Sequence, residues 1–306
     1  MFKKIIPITV LAALPAAAFA GSANVSGFAD ITYTNDDDTS VFLANAEVDV
    51  SNKLSDQVSV RIDTDLSLAG NGGGNAGLSG PADSAVIEQA YFAYTPIKEV
   101  TVLGGVFNNP IGWDKEDAPD MYQISKGQIW NILDGQTALY GNNIAGVAVA
   151  GGVGPATITV AALNEIGHND LEKNSYAAVV NVTAVKGLDV ELGYVTQEAG
   201  AENVLDINAT YSIMGATVGL EYLMADKIID SAMGITLNYQ INKMFGATVM
   251  YDTVSYEATG ADDTASYAVA VSANLASNLV VAAEYYSTDA SGDDDPKVGL
   301  EFIASF

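Results

Sequence analysis

The side chains of this chain that could do chemistry are carboxylates set two residues apart. Glu47 and Asp49 form one pair and Asp63 and Asp65 another, with Arg61 just before the second. Glu88 lies on a further segment, and Asp114, Glu116, Asp117 and Asp120 crowd a later one. Paired carboxylates are the minimum for general acid–base hydrolysis, but that work also needs a pocket closed around a substrate. Carboxylates ranged along a water-filled path do something simpler. They lower the energy of a partly dehydrated cation and raise that of an anion. Other chemistry is poorly supplied. A catalytic Ser–His pair needs its histidine on a rigid wall, whereas the single histidine, His168, sits in the polar stretch Gly167-His168-Asn169-Asp170 and reads as solvated. One histidine and no cysteine leave no zinc or thiolate centre. Gly72, Gly74 and Gly77 have the spacing of a dinucleotide loop, yet a Gly- and Pro-bearing stretch follows where a helix is required. The expectation is a protein with no enzymatic site, no metal and no cofactor.

A spacing of two is the period of a β-strand, so the carboxylates define the elements that carry them. From Gln57 to Leu68 the even positions are apolar or Thr and the odd ones polar. That run is close to the ~9–11 residues of a tilted membrane strand. The pattern returns at 42–50, 188–196, 205–211 and 235–240, where Asp189 and Glu191 oppose Val190 and Leu192, and Asp206 and Asn208 oppose Ile207 and Ala209. Turn signals divide the chain into about sixteen segments, near 22–34, 40–51, 57–68, 84–95, 99–107, 143–152, 156–164, 175–185, 188–198, 204–213, 216–226, 231–241, 245–257, 264–275, 279–289 and 297–306. Short links such as Asn52-Lys53 and Gly154-Pro155 alternate with longer, more acidic ones at 36–38, 69–83, 108–142, 165–174, 199–203, 227–230, 258–263 and 290–296. Short turns at one end and long loops at the other are the asymmetry of an outer-membrane barrel. The predicted fold class is therefore all-β, a transmembrane antiparallel β-barrel of about sixteen strands.

Composition agrees. Hydrophobic residues make up 49% of the chain, yet beyond residue 20 they never form a run long enough for a membrane helix. An apolar surface dispersed at every second residue accounts for both facts. Lys3 and Lys4, the apolar stretch Ile5–Leu14 and Ala18-Phe19-Ala20 read as a signal peptide over residues 1–20, with the barrel over 21–306. Without those two lysines, ten basic residues face 38 acidic ones. So acidic a surface repels nucleic acid, whose binding rests on Lys and Arg displacing counterions. Aromatic residues including Tyr33, Phe42, Tyr94, Phe107, Tyr176, Tyr194 and Tyr251 fall near segment ends, where interfacial girdles would place them.

The order of parts is similar to that of bacterial outer-membrane porins. Val86-Ile87-Glu88-Gln89-Ala90-Tyr91-Phe92-Ala93-Tyr94, followed by Gly104-Gly105-Val106-Phe107-Asn108-Asn109-Pro110-Ile111-Gly112-Trp113, resembles the paired strand and loop motif of porin-like barrels. The final run from Val298 to Phe306, apolar at every second residue, resembles the C-terminal signal read by the barrel-insertion machinery. The resemblance implies that the long connection 108–142, the third external loop, folds into the lumen and narrows it. Trp113, Trp130 and apolar residues such as Ile111, Ile129 and Leu133 fit a packed segment. The resemblance also implies a homotrimer in the outer membrane of a Gram-negative cell, in contact with lipid and lipopolysaccharide. Porins usually set several arginines opposite an acidic loop. Arg61 is the single arginine here, so no strong transverse field is implied.

The resulting expectation is a channel for passive diffusion of small hydrophilic solutes and ions, with cations preferred. Its lining would be Glu47, Asp49, Arg61, Asp63, Asp65 and Glu88 on the wall, with Asp114, Glu116, Asp117 and Asp120 at the constriction. Two alternatives stand beside it: a substrate-specific channel, which would need stacking aromatics such as Tyr91 or Tyr286 in the lumen, and a structural or adhesive barrel with a plugged lumen.

Overall fold

A computed structural model of the chain describes residues 22–36, 40–67, 85–137, 141–164, 173–197, 203–257, 262–290 and 293–306. The alternating segments form sixteen strands: β1 Asn24–Asn35, β2 Ser40–Lys53, β3 Val58–Ser67, β4 Ala85–Ile97, β5 Val100–Asn108, β6 Asn143–Val153, β7 Ala156–Asn164, β8 Asn174–Val182, β9 Leu188–Thr196, β10 Val204–Ile213, β11 Ala216–Ala225, β12 Ile229–Gln240, β13 Phe245–Tyr256, β14 Thr264–Ala276, β15 Leu279–Ala290 and β16 Asp293–Ser305. Each pairs antiparallel with its neighbours in sequence, and β1 meets β16 from Phe28↔Ser305 to Asn35↔Val298. Phe306 and Gly27 then exchange backbone hydrogen bonds. Closure pairs every described strand on both sides over its central span, the condition a sheet must meet within a bilayer.

Burial is inverted relative to a water-soluble sandwich. Polar side chains lie inside: Asp63 and Asp206 are 0% exposed, and Glu47, Glu88, Asp252, Glu284 and Glu301 are also buried. Large apolar side chains lie outside, among them Ile62, Phe92, Val160, Leu192, Ile207, Leu220, Val249 and Phe302. Only a solvent of hydrocarbon on the outer face makes that arrangement favourable. No helix among the described residues is long and apolar enough to cross a membrane, so any crossing is made by strands.

Several expectations change in detail. The acidic run Asp293–Asp295, read as loop, belongs to β16, opposite Thr288, Asp289 and Ala290 on β15. Its other flank has no pairing with β1 beyond Val298 among the described residues, and on such an edge Asp and Pro296 break no ladder. Phe107 does not join an outer girdle. It is buried inside beside Ile144, because both faces of β5 are apolar and alternation there gives no sign of orientation. The connection between β5 and β6 carries a 3₁₀ turn, Ala118–Asp120, and a helix α1, Gln128–Thr137, that no periodic pattern had announced. Residues 1–20, Gly72–Gly77, Asp37, Asp38 and His168 lie outside the described residues.

Candidate functional site

The segment joining β5 to β6 touches three different sectors of the inner wall, so it crosses the enclosed space. The first sector is apolar. Ile111, Ile129 and Leu133 join one buried cluster with Leu103, Phe107, Ile144, Leu163, Val179 and Val195 of β5 to β9 and with Leu223, Ala232 and Val254 of β11 to β13. Full burial of such side chains contributes about 1.5–3 kcal/mol each. Ile129, Ile132 and Leu133 fall on one face of α1, which is why a helix suffices here.

The second sector, β11 to β15, holds the segment by carboxylates that accept its backbone N–H groups. Trp113 N–H donates to Glu221 Oε1 at 2.8 Å. Ile124 and Ser125 N–H donate to the two oxygens of Glu284 at 2.8 and 2.9 Å. Gln128 N–H, at the start of α1, donates to Asp252 Oδ2 at 3.1 Å, where a negative charge also suits the helix dipole. The wall is notched to admit the segment. A Cβ on Gly193 would lie 2.2 Å from Ile111, and one on Gly219 would lie 2.4 Å from the Trp113 ring. Within the segment, Lys126 Nζ donates to the Lys115 and Glu116 carbonyls, pairs with Glu116 Oε2 at 3.1 Å, and lies 4.6 Å over Trp130.

The third sector, β2 to β4, gathers most of the predicted lining residues. Register places Glu47 opposite Asp65 and Asp49 opposite Asp63, so two like-charged pairs face each other across one ladder. Arg61 answers one of them: its Nε reaches both Asp63 oxygens at 2.8 and 2.6 Å, and its Nη2 reaches Asp49 at 3.2 Å. Glu88 enters through a β-bulge. Asp63 pairs with Gln89 and Thr64 with Ile87, which leaves Glu88 unpaired, and Glu88 and Gln89 are both buried despite being consecutive. Asn143 Nδ2 holds Glu88 Oε1 at 3.0 Å.

Of the segment acids, Asp117 approaches this sector, with a carboxylate oxygen within 4.8 Å of one from Glu47 and one from Glu88. Burial pushes its carboxyl above the usual carboxylate value, offset in part by a hydrogen bond with Glu47 and reinforced by Asp120. Glu116 pairs with Lys126, and Asp120 is exposed in the 3₁₀ turn. Asp114 goes elsewhere: it accepts the Gly127 N–H at 3.1 Å and braces the segment beside Asp252. The lining set therefore divides, with Asp114 apart from Asp117. The anchors Glu221, Asp252 and Glu284 share the inward parity of the sequence pattern, but nothing local marks the backbone groups they accept. Tyr286 does point inward, with its hydroxyl bonded to Gln128 and Thr288.

Comparison with known sequence families finds no match, and none of the curated proteins matches. Solved structures do match. A Pseudomonas putida OprB structure aligns at TM-score 0.69 and 9% identity, over 93% of this chain and 94% of that one. A variant of the Rh. blastica porin aligns at 0.65 and 13%, over 93% and 100%. A trimer form of OmpT, an outer membrane protein of Vibrio cholerae, aligns at 0.64 and 16%, over 94% and 100%. At such identities the likeness speaks for the fold. With sixteen strands closed antiparallel, carboxylates inside and aliphatic side chains outside, the chain has a porin-like β-barrel fold.

Proposed function

We propose that the chain is an outer-membrane diffusion channel that passes small hydrophilic solutes and ions and prefers cations. The observation that carries this reading is the inverted burial of the barrel, with ionisable groups inside and a hydrocarbon-compatible surface outside. Solutes would cross the lumen beside the tethered segment, within the field of Glu47, Asp49, Arg61, Asp63, Asp65 and Glu88 on the β2–β4 wall and of Glu116, Asp117 and Asp120 on the segment. Excess carboxylate along that path favours cations, and the negative charge of the whole chain concentrates them at the entrance. Asp114 is assigned to bracing rather than to the passage.

In this reading residues 1–20 direct export, and the strand ending at Phe306 is read by the insertion machinery. Lipid and lipopolysaccharide surround the barrel. Assembly as a homotrimer draws support from the trimer form of the structurally similar Vibrio cholerae protein.

Planar-bilayer recording tests the proposal. The purified barrel should give discrete conductance steps and, under a salt gradient, a reversal potential of cation-selective sign. An anion-selective potential would refute the carboxylate-lined passage, and absence of current would mark a plugged barrel.

A further inference from the structure

The β2–β4 sector carries more negative charge than its hydrogen bonds account for, and the surplus is localised. Arg61 neutralises Asp49 and Asp63. Among the described residues no salt bridge reaches Glu47, Glu88 or Asp117, since Lys126 is taken by Glu116 and Lys53 by Asp56. Glu47 and Glu88 are each 2% exposed, and no hydrogen-bond partner reaches Glu47 Oε2 or Glu88 Oε2. A buried carboxylate oxygen without a partner forfeits its solvation for nothing in return. Here two such groups stand together, with an Asp117 oxygen completing a set that spans no more than 4.8 Å.

We infer that Glu47, Glu88 and Asp117 form a site for a hard divalent cation of the calcium class, which ties the tip of the β5–β6 segment to the β2–β4 wall. Calcium accepts oxygen donors at about 2.3–2.6 Å, so three oxygens mutually within 4.8 Å can lie on one ion. The donor set is wholly oxygen, as that class of ion requires, and water can supply the remaining positions. Glu88 is oriented for the role, because Asn143 holds one of its oxygens and the β-bulge turns the residue inward. The neighbouring group of Glu47, Asp49 and Asp63 is also compact, but the Arg61 guanidinium already fills it. The consequence is a second mooring. The segment is held by backbone hydrogen bonds on the β11–β15 side and by a shared cation on the other.

The test is calorimetric titration of the folded, chelator-stripped barrel in detergent with Ca²⁺ alone. One stoichiometric site per chain is expected. Glu88→Gln and Asp117→Asn should each weaken it tenfold or more, while Glu301→Gln, an inward acid outside the cluster, should bind as the unaltered chain does. Asp117 lies on the segment and not in the wall, so its variant keeps the barrel intact, which heat-modifiable mobility verifies. Absence of stoichiometric binding, or binding that survives Asp117→Asn in a folded barrel, overturns the site. Binding is read without current, so failure here leaves the channel proposal standing, and a barrel without conductance can still bind the ion.

Discussion

The two polar sectors facing the β5–β6 segment use the same residue types at the same inward parity and do opposite things. On β11, β13 and β15, Glu221, Asp252 and Glu284 each accept backbone N–H groups of the segment. On β2, β3 and β4, Glu47, Asp65 and Glu88 face one another and Asp117, while Arg61 bonds the neighbouring Asp49 and Asp63. A buried carboxylate is thus a fastening where donors converge on it and a source of field where other carboxylates do. The partner, not the residue, decides. Breaking each sector separately should therefore give different phenotypes.

The largest effect belongs to the fastening side. Replacing Glu221, Asp252 and Glu284 together by Ala leaves four part-buried N–H groups without these acceptors, at up to about 1–3 kcal/mol each. The segment should leave its seat, and single-channel conductance should rise severalfold. The corresponding Gln, Asn and Gln variant keeps an acceptor oxygen at each site and should raise conductance far less. Equal conductance in the two variants would show that charge, rather than hydrogen-bond acceptance, holds the segment.

Next in size is Arg61→Gln on the field side. It leaves Asp49 and Asp63 opposed without a cation. The Arg61 side chain is 36% exposed, so the cost falls between that of an exposed and a buried pair, about 2–3 kcal/mol. Urea unfolding in lipid vesicles should record the loss, and the reversal potential should move further toward the cation value. A shift toward anions would mean that Arg61 is not part of the passage.

A smaller effect is expected at the notch. Gly219→Ala places a methyl group against the Trp113 ring, for a cost of about 1–2 kcal/mol after the ring shifts. Trp fluorescence should report the displaced ring, and the unfolding midpoint should fall by less than in Arg61→Gln. An unchanged emission spectrum would mean that the ring does not rest on this notch.

What could be read from the sequence follows from how local each cause is. The strand at 205–211 is written in its own residues, Asp206, Asn208 and Thr210 against Ile207, Ala209 and Tyr211, and β10 forms there as Val204–Ile213. The same holds for the other strands to within a few residues, because the pleat acts on nearest neighbours. Helix α1 was not legible. Ile129, Ile132 and Leu133 span little more than one turn, Gly135 is a poor helix former, and the carboxylate at its start belongs to Asp252 on a distant strand. The separation of Asp114 from Asp117 was equally hidden: both are acids of one short stretch, and only the folded path of the backbone sends one to Gly127 and the other toward Glu47. Glu88 had the inward parity, but the bulge that also buries Gln89 is a property of two paired strands and leaves no mark in one.

The smallest expected effect discriminates best between the sectors, because its sign is reversed. Asp65 lies directly opposite Glu47, and its Oδ2 is buried without a hydrogen-bond partner. On the fastening side, removing a carboxylate must destabilise. Here Asp65→Asn removes a like charge from a cross-strand pair and supplies an amide donor to Glu47, so the barrel should gain about 0.2–1 kcal/mol. Measured by urea unfolding in vesicles with a chelator present, the midpoint should move upward while cation preference declines. A midpoint that falls would mean that Asp65 accepts hydrogen bonds as Glu284 does, and the two sectors would then differ in position but not in kind.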